Sequence, residues 1–289
     1  MTNSRIAVVT GTSTGFGFDT ARLLAEAGLT VYATMRDATG RNAEPARALG
    51  ALGIHVVELD VTDQASVDRA AAHVLDAAGR VDVLVNNAGT AHMGTTEAFT
   101  AASYERQLAT NVVGPFRLLR AFLPGMRAQG SGLVVFVSSV VGRVVIPFTG
   151  IYASSKWAIE ALGESLSYEL RPFGVDVAIV EPGAYATNIF NAMISPDDAE
   201  RLASYGDVGK TMDAIGGAMT STAGNPIEVA EAIAALVAAP AGTRPLRTPV
   251  PAQSPAAAIN ASAAPIQRGL LEAYGLGAFL PAEATAARA

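Results

Sequence analysis

The chain contains no cysteine, and this absence excludes several kinds of chemistry. Disulfide bonds, thiolate nucleophiles and cysteine-based zinc sites all require that side chain. Histidine is also scarce, and the three that occur, His55, His73 and His92, do not have the spacing of metal ligands. We therefore expect no metal site in this protein.

Charged residues and long apolar runs are scarce as well. Only 16% of the 289 residues are charged, and the net charge of −6 argues against a nucleic-acid or anionic-membrane partner. No apolar run has membrane-spanning length, and residues 1–5 lead directly into a strand without the apolar region of a signal peptide. These features predict a soluble, cytoplasmic protein.

Apolar residues, by contrast, make up half of the chain, which is enough for a sheet buried on both faces. Apolar strands alternate with helical segments from residue 6 to residue 250. This pattern predicts an α/β fold, with about seven strands in a single-domain, doubly wound parallel sheet of Rossmann-like type. We assign residues 1–250 to one catalytic domain with a substrate lid at 188–225. Residues 251–289 form an Ala- and Pro-rich extension, not a separate domain.

A glycine-rich loop follows the first predicted strand and precedes the first predicted helix. Glycines at this junction let the backbone approach a pyrophosphate, and the helix N-terminus offers N–H donors to the phosphates. The loop therefore predicts a dinucleotide site. Its expected contact residues are Gly11, Ser13, Thr14, Gly15, Phe16 and Gly17.

A second motif indicates proton transfer. Tyr152 and Lys156 are four residues apart on one predicted helix, and Ser139 lies thirteen residues before the tyrosine. A phenol has a pKa near ~10 in water, so it needs a neighbouring ammonium to lower that pKa. The serine hydroxyl can hold a substrate oxygen against the phenol. Alone, each residue could be a helix-face or capping side chain, but their order after Asn87 and Asn111 favours catalysis.

In this order the motifs resemble those of the short-chain dehydrogenase/reductase superfamily, over about residues 4 to 250. The resemblance implies hydride exchange with a nicotinamide cofactor while Tyr152 exchanges a proton with a ketone, aldehyde or alcohol. It also implies that Ser139 positions the substrate oxygen and that Lys156 binds the nicotinamide ribose. Asn111 would kink its helix and hold a water that links Lys156 to solvent. Phe16 replaces a small aliphatic residue, a change that we expect to be tolerated because the position acts through its backbone.

The resemblance assigns further residues to the cofactor, although each could be an ordinary turn or capping residue. They are Asp60 and Val61 at the adenine, Asn87, Ala88 and Gly89 on the ribose and adenine side, and Thr187, after Pro182 and Gly183, at the nicotinamide amide or phosphate.

The end of the second strand bears on the choice of cofactor. NAD users in this family usually place an aspartate where this chain has Met35, and Arg36 follows it. A missing carboxylate beside a guanidinium favours the 2′-phosphate of NADP(H). A register shift of two residues would put Asp37 there instead and reverse the preference to NAD(H).

The residues expected around the substrate are mostly apolar, which favours a bulky hydrophobic carbonyl compound or alcohol. Strand two, Val-Tyr-Ala-Thr-Met-Arg-Asp, is weakly similar to the subgroup with 17β-hydroxysteroid and retinol dehydrogenases. Two rival classes fit less well. A sugar-nucleotide epimerase usually has a different glycine spacing, and a non-catalytic NADP sensor typically lacks the tyrosine or the lysine, which this chain keeps as Tyr152 and Lys156. The expected wall residues are Val141, Arg143, Ile146, Phe148, Tyr185, Phe190, Met193 and Ile194.

Two predicted helices, at 104–126 and 151–170, carry apolar residues on more than one face, which predicts a homodimer or homotetramer. The resemblance implies a four-helix interface built from them. Alternatively the C-terminal tail covers a surface of the monomer with Ile266, Leu270, Leu271 and Tyr274. The helix residues concerned are Val112, Phe116, Leu119, Trp157, Ile159 and Leu166.

Overall fold

The computed structural model describes residues 4–185, 193–208, 211 and 224–280. Within them, seven strands form one parallel sheet in the order β3-β2-β1-β4-β5-β6-β7. This order is that of a doubly wound sheet, so the predicted fold class is confirmed. The strands are β1 Ile6–Thr10, β2 Thr30–Met35, β3 His55–Glu58, β4 Val83–Asn86, β5 Gly132–Val137, β6 Val175–Pro182 and β7 Arg247–Val250.

Helices cover both faces of the sheet, and for this reason the central strands are apolar along their whole length rather than at alternate positions. None of the helices in the described ranges is long and apolar enough to cross a bilayer. The helices are α1 Gly15–Glu26, α2 Ala43–Ala51, α3 Gln64–Ala78, α4 Ala101–Leu108, α5 Gly114–Gln129, α6 Gly150–Leu170, α7 Ala199–Ser204, α8 Ile227–Ala238 and α9 Pro255–Ala273.

The core consists of two layers because successive strand residues point to opposite faces. On one face, Val8 and Phe136 pack with Leu118 of α5 and Ile159 of α6. On the other face, Val9 and its strand neighbours pack with residues of α1 and α8. The sheet is thereby held rigidly, and its carboxyl ends form a fixed edge.

The helix predicted at 104–126 is divided into three pieces in the structure. A π-helical turn, Ala109–Val113, separates α4 from α5 and contains Asn111, the residue that the resemblance placed at a kink. Gly114 allows close packing here, since a Cβ on it would lie 2.8 Å from the Val61 side chain.

The chain ends with an edge strand and a long helix. β7 forms despite Pro249, because an edge strand tolerates proline. The α9 helix contacts β7 and the short 3-10 turn Val140–Gly142. Ile266, Leu270 and Tyr274 are exposed on it, so these tail residues do not cover a surface of the monomer as the alternative expectation had it.

Candidate active site

The carboxyl ends of the strands open on one cavity of about 460 Å³. Most residues predicted from the sequence for the cofactor and for proton transfer meet there. Gly17, Asn111, Arg143, Ile146 and Phe148 lie outside its lining, and Thr187 and Phe190 fall outside the described residues. The predicted residues that line the cavity are Gly11, Ser13, Thr14, Gly15, Phe16, Arg36, Asp60, Val61, Asn87, Ala88, Gly89, Ser139, Val141, Tyr152, Lys156, Pro182, Gly183, Tyr185 and Met193.

The glycine loop has no room for side chains. A Cβ on Gly11 would lie 2.8 Å from Ala88 Cα, and one on Gly17 would lie 2.3 Å from the Gly11 carbonyl oxygen. Asn87 ties the loop to the end of β4, since its Nδ2 donates to the carbonyls of Thr10 at 2.8 Å and of Gly11 at 3.1 Å. The loop leads into the N-terminus of α1, so the residues present fit the pyrophosphate of a dinucleotide.

The turn after β2 holds two arginines at the cavity. Arg36 and Arg41 both line it, whereas Asp37 does not. Asp37 has a left-handed φ of 48°, and its carboxylate accepts a hydrogen bond from the Arg41 backbone N–H at 3.0 Å. The sequence interpretation missed Arg41 and the neighbouring Asn42. The sequence did contain a signal for Arg41. Asp37 lies four residues before it in a glycine-containing segment, and Asp often hydrogen-bonds the backbone of its own turn, which would bring Arg41 back toward the end of β2.

Asp60 lines the cavity, and its carboxylate already accepts hydrogen bonds within the protein. Its Oδ1 accepts hydrogen bonds from the Thr62 backbone N–H at 2.8 Å and from the Thr62 hydroxyl at 2.7 Å. Burial opposes the charged form, but the Thr62 bonds outweigh it, and the pKa of Asp60 is lowered. Asp60 is therefore a fixed anion at this end of the cavity.

Tyr152 and Lys156 lie together in the first turns of α6, and both are buried. The Lys156 Nζ donates to the Val137 carbonyl at 2.8 Å and lies 5.6 Å from the centroid of the Tyr152 ring. Burial raises the pKa of Tyr152 to about 12, although the Ser139 hydroxyl lowers it in part. Burial likewise lowers the pKa of Lys156 to about 8, opposed by Glu160.

These shifts contradict one expectation. The sequence predicted that the lysine lowers the tyrosine pKa, but removal of the phenol from water disfavours the charged tyrosinate and raises its pKa. Tyr152 therefore holds its proton at neutral pH.

Asn111 lies behind the cavity, in the π-helical turn. Its Nδ2 donates to the Thr90 carbonyl at 3.0 Å and to Ser155 Oγ at 3.1 Å, and its Oδ1 accepts from the Thr90 N–H at 2.9 Å. A Cβ on Gly89 would lie 3.4 Å from Asn111 Oδ1 and 3.8 Å from Lys156 Nζ. Gly89 is thus the thin wall between the asparagine and the lysine.

The two neighbouring serines differ. Ser139 Oγ accepts from the Val141 N–H at 3.3 Å and donates to the Pro182 carbonyl at 3.4 Å, which holds it at the cavity beside Tyr152. The buried hydroxyl of Ser138, by contrast, has no hydrogen-bond partner in the described part of the chain.

The expected substrate wall is only partly correct. Tyr185 is buried, with its ring edge-on to Phe16 at 5.7 Å and its hydroxyl donating to Glu228 at 3.0 Å. It is a tether between the glycine loop and α8 rather than a free wall, and Phe16 acts through its ring as well as its backbone.

Other wall residues are displaced from the cavity. The Arg143 guanidinium lies over the Trp157 ring at 5.8 Å. Ile146 packs behind Val141, the Phe148 carbonyl accepts from the Gly94 N–H, and Ile194 forms a backbone bridge to His92. Lining residues that the sequence interpretation missed include Thr90, Ala91, Ser138 and Val140.

The fold and the site together define an oxidoreductase of the dinucleotide-binding α/β class. The family model for short chain dehydrogenases matches residues 5–198, and the chain belongs to that family. The uncharacterized oxidoreductase YusZ of Bacillus subtilis is 39% identical over 198 residues, which cover 67% of this chain and 69% of YusZ. Human 17-beta-hydroxysteroid dehydrogenase type 1 is 41% identical over 67% of this chain, but the match spans only 61% of that relative.

Solved structures agree with this assignment. A short-chain dehydrogenase from Streptomyces avermitilis aligns over 95% of this chain and 97% of its own with a TM-score of 0.77 and 33% identity. An alcohol dehydrogenase from Thermococcus sibiricus, complexed with 5-hydroxy-NADP, aligns over 85% of this chain and 95% of its own with a TM-score of 0.69 and 29% identity. A 3-ketoacyl-(acyl-carrier-protein) reductase from Brucella melitensis, complexed with NADH, aligns over 82% and 91% with a TM-score of 0.67 and 26% identity.

Proposed function

We propose that this enzyme interconverts a hydrophobic ketone or aldehyde and its alcohol, with NADP(H) as cofactor and Tyr152 as the proton donor and acceptor. The observation that carries the proposal is the position of Tyr152 and Lys156, buried together in a cavity whose other end is the glycine loop. A bound nicotinamide supplies or accepts the hydride.

The side chains of this chain have the following roles in the proposed reaction. Ser139 holds the carbonyl oxygen, and the Tyr152 phenol donates its proton to that oxygen as negative charge develops there. Lys156 stabilises the tyrosinate that remains, because an ammonium acts strongly on a nearby anion in a site with little water. Asn111 fixes the wall behind Lys156.

The proposed preference for NADP(H) rests on the turn after β2. Arg36 and Arg41 present two guanidinium groups at the cavity, and β2 ends in Met35 where a ribose-binding carboxylate would otherwise lie. The Asp37 carboxylate accepts a hydrogen bond from the Arg41 backbone N–H, so it is not placed to bind a 2′-hydroxyl. Two guanidinium groups are suited to a 2′-phosphate.

A bulky hydrophobic substrate is proposed from the far wall of the cavity. Ala91, Met93, Val141 and Met193 surround the Tyr152 side of it. Such a wall offers few groups that could hydrogen-bond the hydroxyls of a sugar. The similarity to a hydroxysteroid dehydrogenase supports the same substrate class.

The domain assignment also remains a proposal. Residues 1–250 contain all seven strands of the described sheet, and residues 251–289 follow the last strand. Tyr185 and Gly224 form a backbone bridge, so the segment between them begins and ends at one point beside the cavity. This placement supports a substrate lid over 188–225. Phe190 within it keeps its predicted role at the substrate, and Thr187 just before it keeps its predicted role at the cofactor.

We also propose a homodimer or homotetramer formed through α4, α5 and α6. Phe116 and Trp157 are 47% and 43% exposed on these helices. Leu119 and Ile159, which were expected on the same interface, belong instead to the core of the monomer. Light scattering at micromolar concentration tests the proposal, with Phe116→Glu and Trp157→Glu expected to release monomers. A wild-type particle of 29.5 kDa would contradict it.

The test of function is NADPH oxidation with a panel of ketones and aldehydes from small polar to large apolar. We expect turnover that rises with apolar size. Tyr152→Phe should lower kcat by about 10²–10⁴-fold, because general acid catalysis contributes that much. Its affinity for NADPH should stay near the wild-type value. A Tyr152→Phe protein with more than about half of the wild-type activity would rule out the proposed mechanism.

A further inference from the structure

Three carboxylates surround one arginine on the β6 and β7 side of the catalytic helix. Arg247 of β7 donates to Glu160 at 2.9 Å and to Glu164 at 2.7 Å, both on α6. Its Nε also lies 3.6 Å from a carboxylate oxygen of Glu181 on β6. Glu160 and Glu181 are 1% and 0% exposed, so this acidic cluster is an interior feature that the proposed mechanism does not yet use.

The C-terminal helix closes the acidic cluster. Asn260 of α9 donates its Nδ2 to Glu181 Oε2 at 2.7 Å. Among the described residues, one oxygen each of Glu160 and Glu181 has no hydrogen-bond partner. A buried carboxylate oxygen without a donor depends on nearby positive charge for its stability.

The charged groups that face Glu160 come from four elements. They are Lys156 and Glu164 on α6 itself, Glu181 on β6, Arg247 on β7, and Arg143 after the 3-10 turn. Three carboxylates against two arginines leave one negative charge when all are ionised. Lys156 is the remaining cation of this set and the one that lines the cavity.

The geometry places Glu160 one helical turn after Lys156, on the same face of α6 and equally buried. We propose that Glu160 is a positioning residue whose carboxylate, fixed by Arg247 and enclosed with Glu181 beneath α9, keeps Lys156 as an ammonium at the active site. The effect on turnover rests on the proposed function, but the charge state of Lys156 does not.

The sequence makes a direct test possible, because the chain contains only two lysines, Lys156 and Lys210. Protein labelled with ¹³C-lysine gives two side-chain NMR signals, and a Lys210→Arg variant assigns them. We expect the pKa of Lys156 to fall by about one unit in Glu160→Gln, since the variant removes an opposite charge that favours the ammonium. Glu164→Gln is the matched control. It removes another carboxylate from Arg247, but two turns away from Lys156, and should leave the Lys156 titration close to wild type.

A second readout is the pH dependence of NADPH binding, measured by fluorescence. The neutral lysine binds the dinucleotide less well, so the alkaline loss of affinity should begin about one pH unit lower in Glu160→Gln than in Glu164→Gln. If Glu160→Gln does not fold, Glu160→Gln combined with Arg247→Met removes both charges of the pair, and Arg247→Met is its control. Lys156 titrating at its wild-type pH in the folded variant would overturn the proposal.

Failure of the proposed function gives a different result. A protein that reduces no ketone but shows the Lys156 shift keeps the Glu160 proposal and loses the enzymatic one. A protein that reduces ketones, but whose Lys156 titration is unchanged in Glu160→Gln, keeps the enzymatic proposal and loses the Glu160 proposal.

Discussion

The two ends of the cavity are built by different means. At the cofactor end, backbone segments pack directly against each other. Added Cβ atoms on Gly11 and Gly17 would lie within 2.8 Å of other atoms. At the other end, side chains set the geometry, as in the Lys156 bond to the Val137 carbonyl and the position of the Lys156 ammonium beside the Tyr152 ring. The family match ends at residue 198, so it covers the glycine loop, Ser139, Tyr152 and Lys156 and omits α8, β7 and α9.

The largest effect should come from the backbone-built end. In Gly17→Ala the new Cβ would lie 2.3 Å from the Gly11 carbonyl oxygen and 2.4 Å from Asn87 Nδ2, so the loop must shift. Overpacking of this kind costs about 1–3 kcal/mol, and we expect NADPH affinity to fall about 100-fold. Gly125→Ala in α5 is the control, because its Cβ meets nothing within 4 Å. Equal NADPH affinity in the two variants would remove the distinction between the two ends.

This distinction explains what the sequence could predict. Strands, helices and the glycine loop depend on local patterns, and the first strand begins and the last strand ends where predicted, at residues 6 and 250. Tyr152, Lys156 and Ser139 were found because helix and strand periodicity carried them to one edge of the sheet.

The remaining features depend on contacts between distant parts of the chain. The hydroxyl of Tyr185 reaches Glu228, 43 residues away, and Arg247 reaches Glu160 across 87 residues. No local pattern specifies such pairs. The raised pKa of Tyr152 was missed for a related reason, because the degree of burial is a property of the assembled site.

The next prediction concerns Arg36, where side-chain charge enters the cofactor end. Arg36→Asp should shift preference from NADPH toward NADH by about 10- to 100-fold, because a charge-assisted contact is replaced by repulsion of the 2′-phosphate. Arg120→Asp on the exposed side of α5 makes the same charge change away from the cavity and should have little effect. The measurement is the ratio of kcat/KM for the two cofactors. A wild-type protein that prefers NADH would show that Asp37, and not Arg36, determines the choice.

A smaller effect is expected from Glu181, which is buried next to the cavity residue Pro182. Burial, and then Glu160, raise the pKa of Glu181, so the folded state holds a proton that the unfolded chain releases at lower pH. Between those two pKa values the wild-type free energy of unfolding therefore falls as pH rises, by at most about 1.4 kcal/mol per pH unit. Glu181→Gln cannot release this proton, and its stability should decline less from pH 5 to pH 8. Parallel urea titrations of the two proteins across that range would contradict the assignment.

The smallest effect tests whether the two ends are independent. Tyr185→Phe removes the hydrogen bond to Glu228, and since Glu228 is exposed and can be hydrated, we expect a loss of about 1 kcal/mol in urea unfolding. Tyr168→Phe removes a similar bond, from Tyr168 to Glu164 on the outer part of α6, and should cost about as much. Only Tyr185→Phe should also weaken NADPH binding, by about 2- to 5-fold, because the Tyr185 ring holds Phe16 in the glycine loop. Equal NADPH affinity in both variants would mean that the glycine loop keeps its shape without support from the C-terminal part of the chain.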